Sequence, residues 1–146
     1  KKSGYPGMKI LQFAFDSREE SDYLPHNYTH NCVVYTGTHD NDTVMGWYDT
    51  LKGADKKLCD DYLRLKNADG EPIPREQIPW EFVRAAMSSV ADMAIIPMQD
   101  YLGLGSEARI NIPSTLGINW MWRMGNGDFT KELAGRIRSM TKLYGR

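Results

Sequence analysis

Cysteine is scarce in this 146-residue chain: there are only Cys32 and Cys59. Two thiols without CxxC spacing form neither a disulfide framework nor a zinc or redox motif. Both are expected as free, buried thiols in a reducing cytoplasm. Long hydrophobic runs are missing as well. The stretch Ile10-Leu11-Gln12-Phe13-Ala14-Phe15 is short and broken by Gln12, far from the ~20 apolar residues of a membrane span. The basic Lys1-Lys2 is not followed by a signal-peptide core. A cytoplasmic, non-membrane protein is therefore expected, and the glycosylation-type triplets Asn27-Tyr28-Thr29 and Asn41-Asp42-Thr43 read as coincidental. An excess of charge is lacking too. Lys and Arg number 18 against 19 Asp and Glu, with no basic block. That leaves no electrostatic footprint for nucleic acid or an anionic membrane. Internal repeats and low-complexity tracts are absent.

What remains is an ordinary globular composition, 41% hydrophobic and 25% charged, which excludes a disordered chain. Residues 8–15 read as a buried strand, mostly apolar rather than alternating, as in a parallel sheet. Residues 16–31 are a polar loop. Cys32-Val33-Val34-Tyr35 is a second strand. Residues 44–51 predict a short helix capped by Asp42 or Thr43. A better helix spans residues 54–66, with Leu58, Tyr62 and Leu65 on one face. Pro72, Pro74 and Pro79 make residues 67–79 a connector. Residues 80–93 are helical, with Trp80 and Phe82 read as core. Ile95-Ile96-Pro97-Met98 is a third strand, residues 102–126 are irregular, and residues 130–143 form a closing helix with Leu133, Ile137 and Met140 inward. Strands alternating with helices indicate an α/β chain with a parallel sheet. Asp16, Asp40 and Asp100 each follow a strand, at the carboxyl ends where such folds bind ligands.

His39-Asp40-Asn41-Asp42, just past a buried strand, is the most unusual stretch. Three readings stand. The first is a turn that caps the next helix, which suits Asp42. The second is a metal site assembled from His26, His30, His39, Asp40 and Asp42, supporting a metal-dependent His-Asp hydrolase. The third is carbohydrate chemistry, in which Asp, Asn and His grip hydroxyls while aromatics such as Phe13, Trp47, Trp120 and Trp122 stack on ring faces.

Five blocks then carry a resemblance. Gly7-Met8-Lys9-Ile10-Leu11-Gln12-Phe13-Ala14-Phe15, Leu24-Pro25-His26-Asn27-Tyr28, Tyr35-Thr36-Gly37-Thr38-His39-Asp40-Asn41-Asp42-Thr43, Pro97-Met98-Gln99-Asp100 and Gly103-Leu104-Gly105-Ser106-Glu107-Ala108-Arg109-Ile110-Asn111 occur in order over nearly the whole chain. The sequence resembles the C-terminal part of the amylomaltases, the 4-α-glucanotransferases of glycoside hydrolase family 77. The resemblance implies that residues 1–146 are a single segment of a (β/α)8 TIM barrel, about strands 6–8 with their helices, incomplete as a stand-alone chain. It implies retaining transfer of α-1,4-glucan segments to the 4-hydroxyl of an acceptor glucan or glucose, with malto-oligosaccharides as partners and no cofactor or metal. By the same resemblance Asp40 is the transition-state stabiliser and His39 its neighbour on the sugar. Asn111 and Asn41 would bind hydroxyls, and Phe13 would be an acceptor-side platform. No position here matches the family's nucleophile or acid/base. Ser17 falls where some relatives carry a substrate-contacting carboxylate, and Ile110 and Ser114 depart from the commoner Met and Gly. A non-catalytic glucan-binding module is the alternative. Open barrel edges would further let the isolated chain self-associate.

Overall fold

A computed structural model describes residues 4–146. Three parallel strands lie in the order β1 (Gly7–Ile10), β2 (Cys32–Tyr35) and β3 (Met93–Ile95). Gly7 pairs with Cys32 and Ile10 with Tyr35, while Val33 pairs with Met93 and Tyr35 with Ile95. The helices are α1 (Val44–Thr50), α2 (Gly53–Tyr62), α3 (Ile78–Met87), α4 (Met98–Leu102) and α5 (Lys131–Leu143).

The first strand is shorter than the apolar run suggests. Beyond Ile10 the chain enters a 3-10 turn, Leu11–Ala14, because β2 ends at Tyr35 and offers no further ladder. The third strand begins earlier than expected and stops before Pro97, which has no N–H for the ladder. Met98 instead opens α4. Helix α2 stops at Tyr62 in a Schellman motif. Arg64 adopts φ +59°, Arg64 N donates to Asp61 O and Leu65 N to Asp60 O, closing the last turn. Helix α3 takes Pro79 into its first turn, where its missing N–H costs nothing. It ends at Met87 rather than 93. The Ser89 hydroxyl turns back onto Ala86 O at 2.8 Å, and Arg146 donates to Met87 O and Ser89 O. Both satisfy carbonyls that a continuing helix would use. Thr43 caps α1 and Thr130 caps α5 through their side-chain oxygens.

Alternation along the strands gives the sheet two different faces. Cys32, Val34 and Ala94 pack with Ala86, Ala91 and Tyr28. The main core lies beside this layer and centres on the fully buried Phe82, with ring contacts to Phe15, Trp47 and Tyr48. Trp80 is buried, as are the free thiols of Cys32 and Cys59. On the opposite face Met8, Met93 and Ile95 remain 58%, 54% and 41% exposed. The outer edges of β1 and β3 have no strand partner among the described residues. Within α5, Leu133, Ile137 and Met140 turn inward but are only partly buried.

Candidate active site

Where β2 ends, the chain makes a tight loop before α1. Asn41 closes it, its Oδ1 accepting from Thr38 N at 2.9 Å and Thr38 Oγ1 at 2.8 Å. Gly37 lets the turn approach its neighbour: a Cβ there would sit 2.5 Å from Gln12 Nε2. Buried Gln12 uses that closeness, donating to Asp42 O at 2.8 Å. The lone polar residue in the first apolar run is therefore a brace under the loop. Asp42 is structural as well. Its Oδ1 accepts from Thr43 N at 2.8 Å and its Oδ2 from Ser106 Oγ at 2.6 Å.

His39 and Asp40 stand at the tip, each about half exposed, with Nε2 to Oδ1 at 3.3 Å. Asn111 Nδ2 donates to the same Oδ1 at 2.7 Å, and Asn111 N to His39 O at 3.1 Å. Among the described residues no group donates to Asp40 Oδ2. Trp120 lies against His39, ring centroids 5.0 Å apart, and holds the left-handed φ of +66°. A non-glycine residue in that region is strained unless its surroundings fix it. Here Trp120 N donates to Ile110 O at 2.7 Å. In front of this group is an open cleft of about 620 Å³, lined by Met8, Phe13, Tyr35, His39, Asp40 and Ile95 among others. Phe13 is half exposed there and packs edge-on against Tyr23. Of the residues singled out from sequence, His39, Asp40, Asn41 and Phe13 line this one cleft, and Asn111 bonds to its carboxylate.

The other two strand-end carboxylates are elsewhere. Asp16 forms a local pair with Arg18, whose hydrogen bonds hold its carboxyl down at about 2. Asp100 is buried, accepting from Thr36 Oγ1 and Val44 N. Burial raises its pKa to about 6, against the lowering effect of those two bonds. Ser17 donates to Asp55 rather than facing the cleft. Ser114, standing where glycine is commoner, adopts φ +63°, a conformation glycine takes freely. His26 hydrogen-bonds Tyr62, and among the described residues no three His, Cys, Asp or Glu converge to hold a metal ion. The five-residue donor set is thus not assembled. The sequence pointed to no structural role for Gln12 or Arg109, and it placed Asp100 among the ligand-facing strand-end aspartates, whereas Asp100 is sealed beneath the loop. A polar residue inside an apolar run was the available signal for Gln12.

The family model for 4-alpha-glucanotransferase, glycoside hydrolase family 77, matches residues 1–128. The chain belongs to the 4-α-glucanotransferase family. It is 50% identical to the 4-alpha-glucanotransferase of Clostridium butyricum over 100% of this chain and 29% of that protein. It is 47% identical to the Thermus thermophilus enzyme over 95% of this chain and 28% of that one. The amylomaltase from Streptococcus agalactiae in complex with acarbose superposes with a TM-score of 0.89 at 36% identity, covering 99% of this chain and 28% of that chain. The chain therefore spans under a third of the length of these relatives. Its three parallel strands and helices are part of the amylomaltase fold, as the (β/α)8 reading expects. The open sheet face and unpaired edges are those of a partial barrel.

Proposed function

We propose that this chain is the part of a 4-α-glucanotransferase that holds the sugar at the bond being broken and stabilises the transition state through Asp40. The observation that carries this reading is the Asp40 carboxylate at the tip of the β2 loop. Oδ1 is held by Asn111 with His39 Nε2 beside it, and Oδ2 is left for a ligand, in a cleft walled by Phe13. An oxocarbenium-like transition state flattens the sugar ring and shifts its hydroxyls. A fixed carboxylate acceptor strengthens its bonds at that moment and so lowers the barrier. His39 Nε2, beside Oδ1, would contact the same sugar, and the amide nitrogen of Asn41 is available for another hydroxyl. Phe13 supplies a ring face for an acceptor glucose.

Retaining transfer requires a nucleophile and an acid/base carboxylate ~5–5.5 Å apart. Asp40 is the only carboxylate lining the cleft among the described residues. Bond cleavage therefore falls to carboxylates from the rest of the enzyme, and α-1,4-glucans are the substrates. The test is Asp40→Asn in the intact enzyme, with maltotriose disproportionation as the assay. Turnover is expected to collapse while the melting temperature holds. An unchanged rate would remove Asp40 from this role. In parallel, the 146-residue chain alone is expected to be inactive on maltotriose. Saturable malto-oligosaccharide binding by it, with an intact enzyme indifferent to Asp40→Asn, would favour a binding module instead.

A further inference from the structure

We propose that Arg109 is a positioning residue for the Asp40 carboxylate. The inference rests on the catalytic reading of Asp40 above. Arg109 follows the 3-10 turn Ser106–Ala108. Its Nη2 donates to the main-chain oxygen of Asp40 at 2.7 Å and its Nε to that of Asn111 at 2.9 Å. One planar guanidinium thus joins the two segments that meet at the carboxylate. Asn111 then makes the remaining ties, to Asp40 Oδ1 and His39 O. Arg109 touches neither the carboxylate nor the face of the cleft, so it acts through the backbone beneath Asp40. Without it, the tip of the loop keeps its internal Thr38–Asn41 bonds but loses a charged clamp on the residue that bears the carboxylate. Two donors held in a rigid fork suit two carbonyls, whereas a lysine ammonium has no such geometry.

Displacements on the order of 1 Å at a reacting group can cost ~10²-fold in rate. Arg109→Ala in the intact enzyme is expected to lower kcat for maltotriose by about that factor, with KM little changed. Added guanidinium should restore part of kcat, and the melting temperature should stay near wild type. A residue that only stabilised the fold would move the melting temperature, and guanidinium would not recover its kcat. If Arg109→Ala does not accumulate as folded protein, Arg109→Lys replaces it, with the same kcat-selective loss expected. Undiminished kcat in the folded variant, or a loss confined to stability, overturns the proposal. Asp40→Asn run alongside separates the two claims. If Asp40→Asn abolishes turnover while Arg109→Ala does not, only the positioning role fails. If Asp40→Asn is active, the reading beneath it fails and this inference goes with it.

Discussion

Replacing Asp100 by Asn should stabilise the protein at neutral pH, although it removes a charge that accepts two hydrogen bonds. Asp100 is 2% exposed. Its carboxylate accepts from Thr36 Oγ1 at 2.5 Å and from Val44 N at 2.8 Å, and so braces both ends of the loop that carries His39 and Asp40. Desolvation outweighs those two bonds, nearby Asp42 adds repulsion, and the pKa rises from 3.8 to about 6. The folded protein therefore holds a proton between those values that the unfolded chain has released. Stability falls as pH rises through this window, and the full cost is present above about 6. At about 1.4 kcal/mol per pH unit the cost is roughly 3 kcal/mol. Asparagine resembles the protonated acid. It offers an oxygen to Val44 N and an amide N–H to Thr36 Oγ1, with no ion to desolvate. Urea unfolding at several pH values, followed by tryptophan fluorescence, measures the difference between the two proteins. The Asn variant is expected to be more stable at pH 7.5 by roughly 1–3 kcal/mol, with the gap shrinking toward pH 4. A variant that is less stable at pH 7.5, or a difference that does not vary with pH, would refute the reasoning.

Phe82→Ala should cost ~3–5 kcal/mol in the same unfolding assay, because the ring is fully buried at the hub of Phe15, Trp47 and Tyr48; a loss below about 1 kcal/mol would mean the site is not packed as described. Gly46→Ala places a Cβ 2.3 Å from Ser106 Oγ and 2.7 Å from Asp42 Oδ1. It should cost about 1–3 kcal/mol by parting the Asp42–Ser106 bond, and Gly135→Ala, with nothing within 4 Å, serves as the tolerated control. The isolated 146-residue chain should sediment as oligomers, since Leu116, Ile118 and Met121 are exposed and both sheet edges are open. A monomer that persists at high protein concentration would contradict that.

The order of elements was legible because apolar runs bounded by polar, proline- and glycine-rich stretches mark strands and helices without reference to tertiary contacts. Position alone left Asp42 and Thr43 as alternative caps for α1, and it placed Thr130 inside the closing helix that Thr130 in fact caps. Element ends were less legible, since each depends on a partner outside the local window. β1 stops where β2 stops, and α3 stops where Arg146, 59 residues from Met87, takes its last carbonyl. The candidate site divides the same way. His39 and Asp40 stood out because polar residues directly after a buried strand need a reason to be there. The network that fixes them was invisible, because Arg109 and Asn111 reach Asp40 across 69 and 71 residues. Asp16, Asp40 and Asp100 look alike as strand-end aspartates. What separates them is that one pairs with Arg18, one faces the cleft, and one is sealed under the loop.

Burial divides the work between the two aspartates around β2. Asp100 is sealed in, so its carboxylate can only organise protein, and it does so at an electrostatic cost that an exposed group would not incur. Asp40 stays half exposed, with one oxygen committed and the other open. An acceptor of that kind is of little use to stability, since even a fully charged pair at such an exposed site contributes at most ~1 kcal/mol. On the proposed reading, that open oxygen serves a ligand in the cleft. Asp40 lines the same cleft as Met8 and Ile95, which belong to the uncovered apolar face of the sheet. The surface that would meet the sugar therefore adjoins the surface that would meet the rest of a barrel. On the proposed reading of Asp40, a glucan held there would lie at the junction of the two, beside the face that the rest of a barrel would cover.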